Sequence, residues 1–186
     1  MLITRHGRKQ YHNFKNEKNY SELPPLDPDL TSDGFVESYE TYLYYCRQLQ
    51  IPPLRIVSSP FKRNISSAIQ AKAAIKDYFN VDVDIFIDTN IGEYFSTKYL
   101  PLKKRYFYNS TWELMGKTSY SRSSKIELDF SICSFLSYCK ENVWYISHGY
   151  FLKSLAYYLG IDIDEFGYND GIYFDSNEEI KKIFIS

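Results

Sequence analysis

Short apolar runs of strand length alternate along this chain with segments whose apolar residues recur at threes and fours, and several runs stop at a polar cluster. Residues 1–4, 54–57 and 143–146 read as buried strands. Residues 81–87 alternate strictly, as expected of a strand with one more polar face. Between them lie helical stripes. The first runs from Thr31 or Ser32 to about Gln50, with Phe35, Tyr39, Tyr42, Leu43, Cys46 and Leu49 inward. The second takes Pro60 into its first turn and turns Ile65, Ala68, Ile69, Ile75 and Phe79 inward, ending near Phe79. Leu128, Ile132, Phe135, Leu136 and Cys139 form a third stripe. Phe151, Leu152, Leu155, Ala156 and Leu159 form a fourth, with Gly160 as its stop. Residues 172–174 and 180–185 read as a closing hairpin. Strands alternating with helices predict a three-layer α/β/α sandwich with a mostly parallel central sheet and a C-terminal hairpin. At 186 residues the chain has room for a single domain spanning 1–186.

Composition removes several alternatives. Apolar residues make up 44% and charged residues 24%, which excludes a disordered chain. No apolar run approaches the roughly 20 residues of a membrane helix, so no membrane partner is expected. Residues 1–4 pass directly into charged residues, so no signal peptide is expected. Cys46, Cys133 and Cys139 form no C-x-x-C pair, which points away from a zinc ribbon or disulfide framework and towards a reducing, cytoplasmic setting. A net charge of −1 excludes a globally basic nucleic-acid binder.

Chemistry collects where strands end. Arg5-His6-Gly7 follows the first strand, and Ser58-Ser59-Pro60 follows the second, with Arg63 in the helix behind it. Glu93 follows the 81–87 strand on a short loop, and Ser147-His148-Gly149 follows the fourth strand and opens a helix. In open α/β sheets, sites form outside the carboxyl ends of the strands, so these clusters are expected to share one crevice. Two imidazoles, two guanidiniums and a carboxylate would then meet. The planar fork of Arg suits phosphate oxygens, and helix N-termini add N–H donors and partial positive charge. Gly7 and Gly149 are expected to let an anion approach the backbone. Two His and one Glu are conceivable metal ligands, but the flanking guanidiniums disfavour a cation, so no metal is expected. Ser58 and Ser59 read as helix caps or supports for the arginines and not as nucleophiles. His12 reads as a surface residue, and the cysteines as core.

The ordered set Arg5-His6-Gly7, Leu30-Thr31-x-x-Gly34, Ser58-Ser59-Pro60-x-x-Arg63 with Ser67-Ala68, Ile91-Gly92-Glu93 and Ser147-His148-Gly149 resembles the histidine phosphatase superfamily, which has the phosphoglycerate mutase-like fold. Asn169-Asp170-Gly171-Ile172 is similar to its closing strand. The resemblance implies that His6 is the nucleophile, forming a phosphohistidine that water then hydrolyses. It implies that Arg5 and Arg63 grip the phosphoryl oxygens, that His148 donates to the transferring group, that Glu93 protonates the leaving oxygen, and that no metal or organic cofactor is needed. Asp88, Glu113 and Asp170 are the substitutes for that acid. Arg8 after the glycine, and His12 with Asn13 where many mutases place Asn six residues after the His, depart from the mutase pattern. These departures and the short segment after Glu93 tilt the expectation from mutase to phosphatase. A phosphoglycerate mutase-type phosphotransferase and a non-catalytic phospho-ligand binder are the alternatives.

Residues 94–125 carry Lys98, Lys103, Lys104, Arg105, Lys117, Arg122 and Lys125 against Glu113 alone, interleaved with Tyr, Phe and Trp. They read either as a solvated basic loop or as a small basic aromatic cap favouring a polyanionic or aromatic phosphate ester, small or protein-borne. A nucleic-acid platform is the weakest alternative.

Overall fold

The computed structural model describes residues 1–10, 28–92, 125–163, 165–174 and 180–183, with backbone alone at 125–131 and 180–183. Six strands form one sheet: β1 (Leu2–Arg5), β2 (Arg55–Ser58), β3 (Ile85–Ile87), β4 (Val143–Ser147), β5 (Gly171–Phe174) and β6 (Ile180–Ile183). Their order is β3-β2-β4-β1-β5-β6. β3, β2, β4 and β1 pair in parallel, whereas β5 runs antiparallel to both β1 and β6. The closing hairpin expected from the sequence therefore carries the antiparallel part of the sheet.

Among the described residues four α-helices accompany the strands: α1 (Ser32–Leu49), α2 (Lys62–Phe79), α3 (Lys125–Tyr138) and α4 (Gly149–Tyr158). The central strands are buried on both faces, and alternation divides their side chains between two cores. Leu2, Ile56, Trp144 and Ile146 pack with Tyr42, Tyr45 and Cys46 of α1 and with Ala68, Ala71, Ala74 and Ile75 of α2. Ile3, Val143, Tyr145 and Ile172 pack with Ile132 and Phe135 of α3 and with Phe151, Leu152, Leu155 and Ala156 of α4. These are the three expected layers. No helix among the described residues is long and apolar enough to cross a membrane.

Local chemistry sets the ends. Thr31 caps α1, its hydroxyl accepting from the Gly34 N–H at 2.9 Å. Past the end of α4, Gly160 adopts φ +72°, the left-handed conformation in which glycine carries no Cβ penalty.

Several expectations need correction. The 81–87 strand shortens to Ile85–Ile87, because only those residues pair in register with β2 at the sheet edge. α2 begins at Lys62, with Phe61 as N-cap, so Pro60 precedes the helix. Ile69 lies outward at 52% exposure, while Ala71 and Ala74 take the inward positions where α2 meets α1 closely. Leu54 stands outside β2 and is largely exposed. Leu128 and the 94–124 part of the basic aromatic segment lie outside the described side chains.

Candidate active site

β1 and β4 are neighbours in register, with Arg5 opposite Ser147. His6 and His148 each follow their strand by one residue, so the pairing brings the two imidazoles together. Their ring centroids are 5.4 Å apart in an edge-to-face arrangement. β2 lies on the other side of β4 and delivers Ser59 and, through α2, Arg63. His6, Arg63 and His148, which the sequence places in one crevice, are thus assembled at the carboxyl ends of the parallel strands.

Hydrogen bonds fix the state of each ring. Nδ1 of His6 lies 2.7 Å from the Gly7 carbonyl, which only accepts. Nε2 of His6 receives a bond from Arg63 Nε at 3.2 Å. Nδ1 therefore carries the proton and Nε2 the lone pair. In His148, Nδ1 meets Arg63 Nη2 at 3.3 Å and Nε2 meets Ser59 Oγ at 2.9 Å. Because Arg donates only, Nδ1 accepts and Nε2–H donates to Ser59. Both rings are buried, and their pKa values lie well below the ordinary 6.5, first because burial disfavours the imidazolium and next because the Arg63 charge is adjacent.

Arg63 is itself 1% exposed, with its guanidinium 4.7 Å from the centroid of the Phe61 ring. Asn64 braces the arrangement from α2 to β4, donating through Nδ2 to the Ser147 carbonyl at 2.7 Å. Ser67 Oγ accepts the Gly7 N–H at 2.9 Å and donates to the Arg63 carbonyl at 2.8 Å, linking the β1 loop to α2.

Arg5 approaches from the other side. Its Nη1 donates to the Phe166 carbonyl at 2.5 Å, and its guanidinium lies 4.2 Å from the Tyr168 ring centroid. Its Nε is buried without a hydrogen-bond partner among the described residues. A Cβ at Gly149 would lie 3.2 Å from that Nε, so glycine at the start of α4 makes room for the guanidinium. His148 is the α4 N-cap and makes no side-chain capping bond, which leaves the first-turn amides of the helix oriented for an anion.

Gly7 corrects an expectation. A Cβ there would meet Ser38 Oγ at 2.1 Å, and one at Gly34 would meet the Arg8 carbonyl oxygen at 2.2 Å. These two glycines let the loop after β1 press against α1; Gly7 does not open backbone to a ligand. The Leu30-Thr31-x-x-Gly34 motif is thereby explained as packing and capping, with Thr31 N–H also bonded to the Arg8 carbonyl at 2.9 Å. Ser59 is likewise corrected: it supports His148, not an arginine, and no side-chain bond caps α2.

Glu93, Glu113 and His12 lie outside the described residues. The turn leading to Glu93, Thr89–Ile91, is tied to the site by Ser147 Oγ, which donates to the Ile91 carbonyl at 2.8 Å. Of the substitute acids, Asp88 and Asp170 are described, and each makes hydrogen bonds to its neighbours. Asp88 accepts from the Asn90 N–H at 2.8 Å and from the Tyr138 hydroxyl. Asp170 accepts the Gly167 N–H at 2.7 Å.

A cavity of about 350 Å³ opens beside the cluster, lined by Arg5, His6, Lys9, Gly149, Tyr150, Lys153, Glu165 and Phe166. Sequence reasoning singled out neither Ser59 as a partner of His148 nor Asn64, Tyr150, Lys153, Glu165 and Tyr168. Asn64 and Lys153 stand one and four residues beyond recognised site positions, on α2 and α4, and helical spacing was the available signal.

No protein-family model and no curated protein matches the chain. Solved structures do. The ecdysone phosphate phosphatase of Bombix mori, in complex with tungstate, aligns with a TM-score of 0.61 at 14% identity, over 97% of this chain and 90% of that one. The mycobacterial glucosyl-3-phosphoglycerate phosphatase aligns with a TM-score of 0.59 at 14% identity, over 92% and 87%. The putative phosphohistidine phosphatase SixA of Agrobacterium tumefaciens aligns with a TM-score of 0.57 at 13% identity, over 98% and 94%. Nearly the whole length of these chains aligns, and the protein therefore has the phosphoglycerate mutase-like fold that these histidine phosphatases share.

Proposed function

We propose that the protein is a metal-independent phosphatase that hydrolyses a phosphomonoester through a phosphohistidine on His6. The observation that carries this reading is the tautomer of His6: its proton sits on Nδ1 against the Gly7 carbonyl, and its Nε2 lone pair faces the cluster. Burial keeps the ring neutral, as a nitrogen nucleophile must be.

In the first step Nε2 of His6 forms a bond to phosphorus while the bond to the ester oxygen breaks, and that oxygen takes a proton from the Glu93 carboxyl. In the second, water attacks the phosphohistidine, the N–P bond breaks, phosphate leaves, and the Glu93 carboxylate accepts the proton of the water. Arg5, Arg63 and the Gly149 amide hold the phosphoryl oxygens. His148 lies beside them, and approach of the phosphoryl dianion favours its protonation, which makes it a donor. Transfer of this kind depends on position and charge stabilisation. The single domain acts in the cytoplasm, with residues 94–125 as a basic aromatic cap over the substrate. Support comes from the assembled cluster, from the fold, and from the named activities of the similar structures.

The test is phosphate release from an aryl phosphate in the presence of chelator, with a parallel search for acid-labile phosphate on the protein. His6→Ala is expected to abolish both, and Glu93→Gln to slow turnover with little loss of binding. Wild-type turnover by His6→Ala would refute the reading. Isomerisation of phosphoglycerate without phosphate loss would favour the mutase alternative.

A further inference from the structure

We propose that Tyr168 is a positioning residue for the phosphoryl site: the face of its ring fixes the Arg5 guanidinium in the orientation that receives the anion. The inference rests on the phosphatase reading, which assigns Arg5 to the phosphoryl oxygens, and it names a residue that acts through Arg5.

One short turn meets Arg5 twice. The Phe166 carbonyl accepts from Nη1 at 2.5 Å, and two residues later the centroid of the Tyr168 ring lies 4.2 Å from the guanidinium carbon. The start of α4 bounds another side, where a Cβ at Gly149 would lie 3.2 Å from Nε. The carbonyl bond fixes a single corner of the planar fork, about which the group could still swing. A ring face at van der Waals distance removes that freedom, and the ring quadrupole attracts the cation, more strongly where water is excluded. Nε is left buried without an acceptor among the described residues. A buried N–H in that state is costly, and an oxyanion oxygen supplies the missing acceptor.

The same ring reaches the nucleophile: its centroid is 5.8 Å from that of His6, with the planes tilted by 44°. Tyr168 is anchored through its neighbours. Asn169 takes the left-handed conformation at φ 62°, which Asn tolerates better than most residues. Its Oδ1 accepts from the Ser38 hydroxyl at 3.0 Å, and its carbonyl accepts from the Tyr45 hydroxyl at 2.8 Å. The Gly167 N–H donates to the Asp170 carboxylate at 2.7 Å, and the Asp170 carbonyl accepts the Arg5 N–H at 2.8 Å. Thus α1 holds the turn, the turn holds Tyr168, and the ring holds Arg5.

The experiment measures binding of inorganic phosphate to full-chain variants by NMR titration, which needs no turnover. Tyr168→Leu is expected to weaken binding about tenfold, the size of a desolvated cation–π contact. Tyr168→Phe, the conservative variant, keeps the ring face and retains the affinity. Tyr168→trifluorophenylalanine has nearly the same shape but an electron-poor face, and is expected to bind about threefold more weakly than Tyr168→Phe. A role in folding alone would treat those two rings alike. In the Arg5→Met background, Tyr168→Leu is expected to add less than about twofold, because the ring acts through the guanidinium. Equal affinity with the two rings overturns the proposal. So does a loss in Tyr168→Phe as large as in Tyr168→Leu, or a Tyr168→Leu effect undiminished in Arg5→Met. Should Tyr168→Leu fail to fold, the two ring variants still decide the question. Ring-dependent phosphate binding with no ester hydrolysed would leave the positioning role standing and sink the phosphatase reading. Hydrolysis through His6 with no ring dependence would sink the positioning role alone, and a wild type that binds no phosphate would sink both.

Discussion

Nε of Arg63 lies 3.2 Å from Nε2 of His6 and occupies the lone pair with which that nitrogen would attack phosphorus. On the proposed mechanism, incoming phosphoryl oxygens must draw that N–H away, so substrate binding and release of the nucleophile would be one event. Arg63→Met is expected to lower kcat/KM by about 100-fold or more, as loss of a preorganised donor does. Because the Arg63 charge depresses both imidazoles, the same substitution raises their pKa values, and ring titration by NMR reads the change.

The two histidines also set a pH dependence of stability. Their folded pKa values lie below the unfolded value of about 6.5, so the unfolded chain binds more protons between those limits. Stability is full above about pH 6.5 and falls with acidification by about 1.4 kcal/mol per unit for each ring until the folded pKa is reached. Urea midpoints between pH 7.5 and 5.5 measure this. His6→Asn combined with His148→Gln should flatten the slope, and an unchanged slope would contradict the assignment.

Ser59 is expected to position His148 through the 2.9 Å bond to Nε2. Ser59→Ala leaves a buried ring N–H without its acceptor, at a cost of about 1–3 kcal/mol in stability. Nitrogen chemical shifts of the ring should report a change in the Nδ1/Nε2 proton balance. Ser59→Thr, which keeps the hydroxyl, should restore it.

Gly34→Ala is expected to destabilise the protein by about 1–3 kcal/mol, the range for forced overpacking. Its Cβ would lie 2.2 Å from the Arg8 carbonyl oxygen, which is backbone and cannot rotate away. Because that loop carries His6, turnover should fall together with the melting temperature. The exposed Val36→Ala on the same helix should change neither by a comparable amount.

Phosphate release is expected to persist in excess chelator, with no stimulation by magnesium, zinc or manganese. A metal requirement restored by one of these ions would contradict the assigned role of the guanidiniums.

The architecture was legible because α/β folds write themselves locally. Leu2 and Ile3, or Trp144 and Tyr145, are apolar on consecutive positions, and only a strand buried on both faces needs that. The polar triplets at the strand ends then placed His6, Arg63 and His148 together. What the sequence did not convey was direction and contact. Ser59 and Gly7 sit inside recognised motifs, yet their partners, His148 and Ser38, are distant in sequence. The 81–87 alternation overstated β3, since pairing needs a neighbour as well as a pattern. Tyr168 was invisible for a related reason: one tyrosine among 19 gains meaning only once Arg5 lies against its ring.

The β1–β4 register joins positions far apart in the sequence, Arg5 with Ser147. The α1–α2 contact, by contrast, is made between segments separated only by β2 and its connections. Closure of so long a loop is entropically slow relative to such local pairing. During synthesis His6 must therefore wait without His148 until more than a hundred further residues have emerged, and completion of the candidate site becomes a signal that β4 has inserted.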